Sequence, residues 1–468
     1  MTLTKHLIKF RRNNSLLLLN GGRIKPILID KGKEHILSLL EDVNNIRDKR
    51  LLELLLYHNI IVEDNDKEDY RIKTNNPEGS KTSGLSLYLL LSQGCNLGCV
   101  YCLNGEKTYK KSENLMMKEE VAYRGIDKLS KAIIEGGNLE VVFFGGEPLL
   151  NWPLAKKVII YCEDKVKKGH PKLQIKYHLT SNLTLLPKDL IEWAKRYNIT
   201  FLCDIDGPKG LHNLTRPYRN KKGSYDNIVK NIEKIRRAGL EVALRATLTS
   251  HNMDYIEEIS RHHKEIGGAG SAFVSVNAVT SDENILPKSL LPDPDVVAKG
   301  LRDLVRSNIW DKKNIFPLNG YLERIRPDER NIWCCGAPHG NTPVLDVNGD
   351  IYACIYLVGI KRYKLGNVFS DDEYPDKKVV KMMLEVINID NSDSCKRCKL
   401  RYICGGGCPV GRFTIKENPN ASDEIIKYTH DVACKVNKAM IEEALWHYAE
   451  KVRDEKENIG NCSFVKCK

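Results

Sequence analysis

The chain has 468 residues, of which 42% are hydrophobic and 29% are charged, and these proportions indicate a folded protein of two or three domains. Its formal charge of +12 comes from lysines and arginines scattered among acidic residues, so we expect no nucleic-acid partner. Residues 1–19 hold no apolar segment long enough for a signal peptide or a membrane span, and we therefore predict a cytoplasmic protein with no membrane partner. In that compartment 15 cysteines favour metal binding over disulfides.

Residues 1–85 predict a small first domain. A turn at Asn20-Gly21-Gly22 separates two short strands, and leucine-rich helices and a third strand follow. The predicted elements are strands at 15–19, 25–30 and 60–63 and helices at 34–43 and 48–57. This pattern resembles the small winged-helix domain with which maturases of ribosomally made peptides recognise their precursor; a purely structural extension is the alternative. The polar residues 64–84 predict a linker.

Strand and helix patterns alternate from residue 86 to residue 325. Six strands, each followed by helical periodicity, predict a partial parallel (β/α)6 barrel of the α/β class. The predicted strands are Leu85–Leu91, Leu139–Phe144, Gln174–Thr180, Thr200–Ile205, Glu241–Thr247 and Ala272–Val276, and the predicted helices include Lys118–Glu135, Pro153–Lys168, Leu190–Tyr197 and Asn227–Ala238. Barrels of this type place their chemistry at the carboxyl ends of the strands, so the residues that follow each strand are candidate site residues.

Three cysteines follow the first barrel strand. Cys95, Cys99 and Cys102 have the spacing CxxxCxxC, and Tyr101 stands just before the last of them. Three close thiolates can bind three irons of a 4Fe–4S cluster and leave the fourth iron open to another molecule. A structural zinc ion would need four protein ligands. The spacing therefore favours a catalytic iron–sulfur cluster.

The second barrel strand ends in the turn Gly145-Gly146-Glu147-Pro148. Glycines allow close approach of the backbone to a ligand, and backbone carbonyls accept hydrogen bonds from an ammonium group. Together with CxxxCxxC, this turn resembles the radical S-adenosylmethionine (SAM) enzymes. The resemblance implies that the three cysteines hold the catalytic cluster, that Tyr101 and the turn contact SAM, and that SAM is cleaved to a 5′-deoxyadenosyl radical. An electron donor such as flavodoxin or ferredoxin is then implied as a partner.

Two more strand ends carry candidate SAM contacts. Asn182 follows the third strand, and Arg245 lies at the end of the fifth, where a guanidinium suits the SAM carboxylate. The stretch from Asp204 to Tyr225, with His212 and Arg216 inside it, resembles the SxDGP…HDxxRP…GTY stretch of barrels that carry extra clusters. Asp204 replaces the usual serine, and an asparagine replaces the usual aspartate. Structural hydrogen bonds or salt bridges are the alternative for each of these residues.

The third predicted domain, residues 326–440, is rich in cysteine. An Asn348-Gly349 hairpin turn would bring Cys335 and Cys354 together. With the later cysteines the spacing resembles a SPASM domain, which implies two auxiliary 4Fe–4S clusters beside the catalytic one, three in all. The implied outer ligands are Cys395, Cys398, Cys404 and Cys434, and the implied inner ligands are Cys335, Cys354 and Cys408. The fourth inner ligand is Cys334 or is absent, and a zinc ribbon is the competing interpretation.

The remaining cysteines receive no ligand assignment. Cys162 and Cys203 lie in apolar contexts and are predicted core residues. Cys462 and Cys467 lie in the predicted C-terminal helix and tail, residues 441–468, and have no predicted role.

The combined resemblance implies a maturase of ribosomally synthesised precursor peptides (RiPPs). We expect it to join a cysteine sulfur to carbon as a thioether, as in sactipeptides and ranthipeptides, with the leader peptide added as a strand to the first domain. Peptide maturases that form carbon–carbon crosslinks or epimers are one alternative. Anaerobic sulfatase-maturating enzymes are another, but there an aspartate follows the second SPASM cysteine, whereas Ile355 follows Cys354. A non-catalytic iron–sulfur carrier is the third, and it would need no Gly-Gly-Glu-Pro turn.

Overall fold

A ten-stranded sheet forms the centre of the protein, and helices cover its outer face. A computed structural model describes residues 1–13, 15–29, 36–64, 81–102, 116–279, 285–326, 333–418 and 420–458. The strands in these residues are β1 (Thr2–Leu3), β2 (Leu7–Arg12), β3 (Ser15–Asn20), β4 (Ile27–Ile29), β5 (Ile61–Val62), β6 (Thr82–Ser92), β7 (Ile133–Gly145), β8 (Gln174–Ser181), β9 (Thr200–Asp204), β10 (Val242–Leu248), β11 (Ser271–Ser275), β12 (Ile315–Phe316), β13 (Val344–Leu345), β14 (Asp350–Tyr352) and β15 (Lys364–Asn367).

The helices lie between the strands and after them. They are α1 (Ile36–Leu39), α2 (Lys49–Tyr57), α3 (Glu119–Ser130), α4 (Trp152–Tyr161), α5 (Lys167–Gly169), α6 (Leu190–Tyr197), α7 (Lys209–Thr215), α8 (Tyr225–Arg237), α9 (Ile256–Glu265), α10 (Pro294–Arg306), α11 (Leu318–Arg324), α12 (Lys377–Ile387), α13 (Asp393–Lys396), α14 (Arg401–Cys404), α15 (Val410–Glu417) and α16 (Asp423–Asn458). No helix of the described ranges is long and apolar enough to cross a membrane.

Strands β6 to β12 pair with one another in chain order, and every pair is parallel. Strands β6–β11 are the six predicted strands, and their parallel order confirms the predicted α/β class with a central parallel sheet. Strand β7 begins at Ile133, so the predicted helix over Lys118–Glu135 is too long at its C-terminal end. The apolar pattern continues from α3 into Ile133, but the chain turns at Ala132 and Ile133 pairs with Thr82 of β6.

Alternation along β6 shows how the sheet presents its two faces. Leu87 and Leu89 are fully buried beneath the covering helices, whereas Tyr88 between them is only half-buried and points to the inner face. The inner face at the carboxyl ends of the strands is therefore the surface available for a ligand.

The N-terminal unit, residues 1–64, has an antiparallel sheet β2-β3-β4 and a second pair, β1 with β5. The predicted helix at 48–57 is α2, which begins after Asp48 because that carboxylate accepts the backbone N–H groups of Arg50 and Leu51. Of the predicted helix at 34–43, the structure shows only the short α1. Strand β2 was not predicted, because its basic residues hide the pattern of a strand that pairs with the leucines of β3. Most of the predicted linker, residues 65–80, lies outside the described residues.

The C-terminal third continues the barrel sheet. Strand β13 runs parallel to β6, with Val344 opposite Tyr88, and pairs on its other side with β14 in the predicted hairpin. Gly349 has φ +90 in the turn, a conformation that glycine adopts without steric cost. Helix α16 then packs against α10, α11 and the N-terminal unit. The inner face of the barrel and the cysteine-rich segment therefore share one continuous sheet.

Candidate active site

The cysteine loop after β6 is attached to the end of α7 and the segment that follows it. The backbone N–H of Gly98 donates to the Pro217 carbonyl at 2.8 Å, and that of Val100 donates to the Thr215 carbonyl at 3.0 Å. Arg219 adds a side-chain hydrogen bond from Nε to the Cys95 carbonyl at 2.8 Å. These contacts join residues more than a hundred positions apart, so the shape of the loop depends on the barrel and not on local sequence alone.

Tyr101 anchors the same loop from inside the barrel. Its phenol donates to Asp206 Oδ2 at 2.5 Å, and the guanidinium of Arg216 lies 5.3 Å from its ring centre. Asp206 is fully buried and also accepts from Thr215 Oγ1 and from the Thr247 N–H. Sequence reasoning gave Asp206 and Arg216 no individual roles, although both lie in the resembling stretch that follows β9. The structure assigns them to the support of the loop.

The three loop cysteines lie close enough to influence one another. The pKa of Cys99 is raised to about 12, mainly by burial; the charge of Arg216 lowers it, and the charges of Cys102 and Cys95 raise it. Burial likewise raises the pKa of Cys95 to about 11. Metal coordination displaces the thiol proton, so iron binding would convert these neutral groups into thiolates. Three adjacent soft donors, with a guanidinium beside them, fit the ligand set of an iron–sulfur cluster.

The Gly-Gly-Glu-Pro turn packs directly against the base of the cysteine loop. Gly146 donates its N–H to the Ser92 carbonyl at 2.8 Å, and Glu147 donates its N–H to the Gly94 carbonyl at 2.8 Å. A Cβ at Gly146 would lie 2.4 Å from the Gly94 oxygen, so no larger residue fits without moving the loop. The glycines therefore bring the two strand ends into direct contact.

The Glu147 side chain ties this turn to the end of β8. It is fully buried, and its Oε1 accepts from the Leu149 N–H at 2.9 Å and from Ser181 Oγ at 2.8 Å. Its Oε2 accepts from the Asn182 N–H at 2.8 Å. Burial raises the pKa of Glu147 to about 7, against the opposing effect of these three donors. The family resemblance implies that Glu147 contacts SAM. In the structure, its carboxylate binds the backbone of Leu149 and Asn182 and the hydroxyl of Ser181.

Asn182 borders the cysteine loop. Its Nδ2 lies 3.7 Å from Cys95 Sγ and donates to Asn96 Oδ1 at 3.0 Å. Its Oδ1 accepts from the backbone and the hydroxyl of Thr184. An N–H group beside a ligand sulfur is one of the contacts that tune the potential of an iron–sulfur cluster. The structure thus brings Asn182, the loop and the turn together at one end of the barrel.

Arg245 lies on β10, where it pairs with Asp204 of β9. The distances are 2.6 Å from Nε to Oδ1 and 3.1 Å from Nη2 to Oδ2, and Arg216 Nη2 is 3.5 Å from Oδ1. Asp204 thus links the predicted SAM contact to the guanidinium beside Cys99. His212 is fully buried: its Nδ1 accepts the Asp206 N–H, so Nε2 donates to Ser224 Oγ at 3.0 Å. That arrangement agrees with the structural alternative for His212.

The C-terminal cysteines form two neighbouring groups. In the inner group, burial raises the pKa of Cys335, Cys354 and Cys408 to about 12 each, and each thiol also feels the charge of another member. In the outer group, the charges of Cys434 and Cys398 raise the pKa of Cys404, and those of Cys398 and Cys395 raise that of Cys434. These electrostatic contacts are compatible with the SPASM resemblance, and the ligand assignment that it implies stays a prediction.

Cys334 lies between the two groups. Its charge raises the pKa of Cys335 and Cys408 in the inner group and of Cys404 in the outer group. Arg324 Nη2 lies 3.7 Å from its sulfur. Three successive glycines with positive φ, Gly405 to Gly407, separate Cys404 from Cys408. The change of chain direction there allows Cys404 to lie in the outer group and Cys408 in the inner group.

Cys162 and Cys203 are fully buried in the apolar core, where they were predicted. Cys462 and Cys467 lie outside the described residues. Among the residues that are described, no three His, Cys, Asp or Glu side chains converge tightly enough to hold a single metal ion.

Sequence reasoning missed Tyr356, which reaches the inner face beside the inner cysteines. Burial raises its pKa, as do Cys408 and Cys354, whereas the charge of Arg245 lowers it. Its position two residues after Cys354 was the available signal.

Comparison with known proteins agrees with this geometry. Residues 89–263, which span the cysteine loop and most of the barrel, match the family model of the Radical SAM superfamily. The radical SAM cyclopropyl synthase TigE of Paramaledivibacter caminithermalis is 28% identical over 36% of this chain and 36% of its own length. The serine-type anaerobic sulfatase-maturating enzyme of Bacteroides thetaiotaomicron is 24% identical over 68% of this chain and 81% of its own length.

Two solved structures share the fold. Native anSMEcpe with bound AdoMet aligns with a TM-score of 0.61 and 20% identity, over 78% of this chain and 99% of that protein. Streptococcus suis SuiB bound to its precursor peptide SuiA aligns with a TM-score of 0.51 and 19% identity, over 89% of this chain and 97% of SuiB.

Proposed function

We propose that this radical SAM enzyme, a relative of peptide-modifying and anaerobic sulfatase maturases, installs thioether crosslinks in a ribosomally synthesised precursor peptide. The carrying observation is the inner cysteine group. Cys335, Cys354 and Cys408 act on one another's pKa there, and Cys334 acts on Cys335 and Cys408 as well as on Cys404 of the outer group. If Cys334 does not bind the inner cluster, three protein ligands leave one iron for the thiolate of a substrate cysteine.

The catalytic cluster and SAM would be held by the loop thiols, the Gly-Gly-Glu-Pro turn, Asn182 and Arg245. When bound, they supply a radical that removes hydrogen from an unactivated carbon. The residues of this chain fix the two strand ends and present N–H donors near Cys95. Strand β13 pairs with β6, so the segment that carries the auxiliary cysteines adjoins the sheet of the SAM site, which supports delivery of a substrate sulfur to that site.

The open edge of the N-terminal sheet is an argument for a peptide substrate. Strand β4 pairs with β3 on one side, and within the described residues no strand pairs with its other side. An extended leader peptide can add there by main-chain hydrogen bonds. SuiB, whose fold this chain shares, was solved with a precursor peptide, which favours the same substrate class here.

A sulfatase maturase is the second candidate, because the relative from Bacteroides thetaiotaomicron matches over most of its length. Ile355 stands where that group is expected to carry an acid, and an isoleucine cannot accept a proton. Carbon–carbon crosslinking is favoured by the cyclopropyl synthase match. A thioether differs from the other two products in thiol content, and those two differ in the peptide that is modified.

The first experiment measures iron and SAM cleavage. Three clusters predict about 12 iron atoms per chain after anaerobic reconstitution, and replacement of Cys95, Cys99 and Cys102 by alanine should remove about four and abolish 5′-deoxyadenosine formation. The matched control is Cys162→Ala, a buried thiol distant from the loop, which should keep its iron. Unchanged iron in the triple variant, or zinc in the C-terminal third, contradicts the cluster assignment.

The second experiment identifies the product. Short cysteine-containing peptides encoded beside this gene are incubated with enzyme, SAM and reductant and analysed by mass spectrometry. A thioether makes the peptide two hydrogens lighter per crosslink and protects the cysteine from iodoacetamide. The same mass loss with every thiol still alkylated indicates carbon–carbon bonding, and oxidation of a sulfatase peptide in place of these substrates indicates the second candidate.

A further inference from the structure

Asp204 has an environment that the serine usual at this position could not satisfy. Its side chain is 12% exposed, and it receives two hydrogen bonds from Arg245 with Arg216 nearby. Burial opposes its ionisation, but the charges of Arg216 and Arg245 outweigh that effect and hold the pKa of Asp204 at about 2. A carboxylate accepts from both nitrogens of one guanidinium edge, whereas a hydroxyl accepts from one.

The pairing leaves one edge of Arg245 available. Asp204 engages Nε and Nη2, and among the described residues no partner engages Nη1. The side chain is 26% exposed, on the inner face near Tyr356. A guanidinium presents its donors in a fixed plane, so holding one edge fixes the direction of the other.

The same carboxylate connects two parts of the site. Arg216 contacts both Asp204 and Asp206, and its charge acts on Cys99 of the cysteine loop. The four charged groups Asp204, Asp206, Arg216 and Arg245 sum to zero. Binding of an anion beside Arg245 would therefore depend on correctly directed hydrogen bonds and not on surplus positive charge.

We propose that Asp204 is a positioning residue for SAM: it clamps Arg245 so that the free edge of the guanidinium meets the SAM carboxylate. This inference rests on the proposed function of the site. Without the clamp, the arginine side chain would regain its rotamer freedom and lose its fixed direction. The effect is specific to the carboxylate of the ligand, and that specificity makes it separable from general damage to the fold.

The test compares dissociation constants of SAM and decarboxylated SAM for the reconstituted enzyme. In the wild type we expect SAM to bind more tightly, and Asp204→Asn should reduce this preference about tenfold, as expected for one charged hydrogen bond. Arg245→Met should reduce it similarly, and the double variant should lose no more than Arg245→Met alone, because both substitutions remove one interaction. Asp189→Asn is the control, since Asp189 also binds two partners, Trp152 and Lys156, but on the barrel exterior.

If Asp204→Asn weakens the binding of SAM and of decarboxylated SAM equally, so that the preference is unchanged, the proposal is overturned and Asp204 has only a structural role. If Asp204→Asn does not retain iron, Asp204→Glu decides, because it keeps the charge but displaces Arg245 by one methylene; an unchanged preference there also overturns the proposal. Failure of the proposed function has a different signature, namely a wild-type enzyme that forms no 5′-deoxyadenosine from SAM and reductant.

Discussion

Removal of one hydroxyl, in Tyr101→Phe, should loosen the cysteine loop without disturbing the core. The Tyr101 phenol donates to Asp206 Oδ2 at 2.5 Å, and Asp206 keeps other donors in Thr215 Oγ1 at 2.7 Å and the Thr247 N–H at 2.9 Å. A hydrogen bond to a charged group contributes about 1.5–3 kcal/mol. Since Asp206 keeps other hydrogen bonds, we expect the free energy of loop opening to decrease by about 2 kcal/mol, which corresponds to about a thirtyfold change in the opening equilibrium.

Amide hydrogen exchange measures this opening directly. The N–H groups of Gly98 and Val100 bond to Pro217 and to Thr215 at the end of α7, and both should exchange about thirtyfold faster in Tyr101→Phe before iron is loaded. Tyr161→Phe is the matched control, because Tyr161 also donates to an aspartate, Asp127, but on the outer surface of the barrel. Its loop amides should exchange at the wild-type rate.

Unchanged exchange at Gly98 and Val100 in a folded Tyr101→Phe protein would refute this reasoning. It would mean that the backbone pairing of the loop suffices and that the phenol contributes nothing to its rigidity. Faster exchange throughout the chain would instead point to a general loss of stability.

Three further outcomes are expected. Gly146→Ala should weaken SAM binding at least tenfold, since its Cβ would lie 2.4 Å from the Gly94 oxygen and displace the cysteine loop; calorimetry measures this, and wild-type affinity would contradict it. Glu443→Gln should lower the thermal midpoint, because this buried carboxylate accepts from Arg12 and Arg306, and a loss of about 2 kcal/mol is expected after allowance for the partial exposure of the arginines. Burial lowers the pKa of His212 to about 4, so the unfolded chain binds more protons than the folded chain between about pH 6.5 and 4. The free energy of unfolding should therefore decrease as the pH is lowered from about 6.5 to 4, and His212→Gln should make this decrease smaller.

Much of the barrel could be predicted from the sequence because its signals are local. Strands of a parallel sheet within the protein interior are largely apolar, and their apolar runs marked β6 to β11 to within a few residues except at the start of β7. The grouping of the C-terminal thiols came from the SPASM resemblance and stays a prediction, although the short intervals between Cys395, Cys398 and Cys404 do keep these three residues close in the chain. The Asn348-Gly349 turn identified its hairpin because this signal is also local.

Strand β2 shows where local signals fail. Leu7 to Arg12 is half basic, and it forms a strand because the leucines of β3 and the helix α16 cover its apolar side. Propensity and periodicity do not encode such a partner, which lies elsewhere in the chain. The short α1 is the converse case, since apolar spacing there extends beyond the helix that forms.

The sequence by itself determined which residue types stand at the strand ends: three thiols after β6, a glycine turn after β7 and polar groups after β8 to β10. Only the tertiary structure decided their partners. In the folded chain Glu147 accepts a hydrogen bond from the Asn182 N–H, and Arg245 pairs with Asp204, a residue 41 positions away. Cys334 lies close enough to Cys404 for its charge to act on that thiol. A side chain's choice among partners depends on distances of a few tenths of an ångström across several strands, and those distances exist only after the sheet has closed around its core.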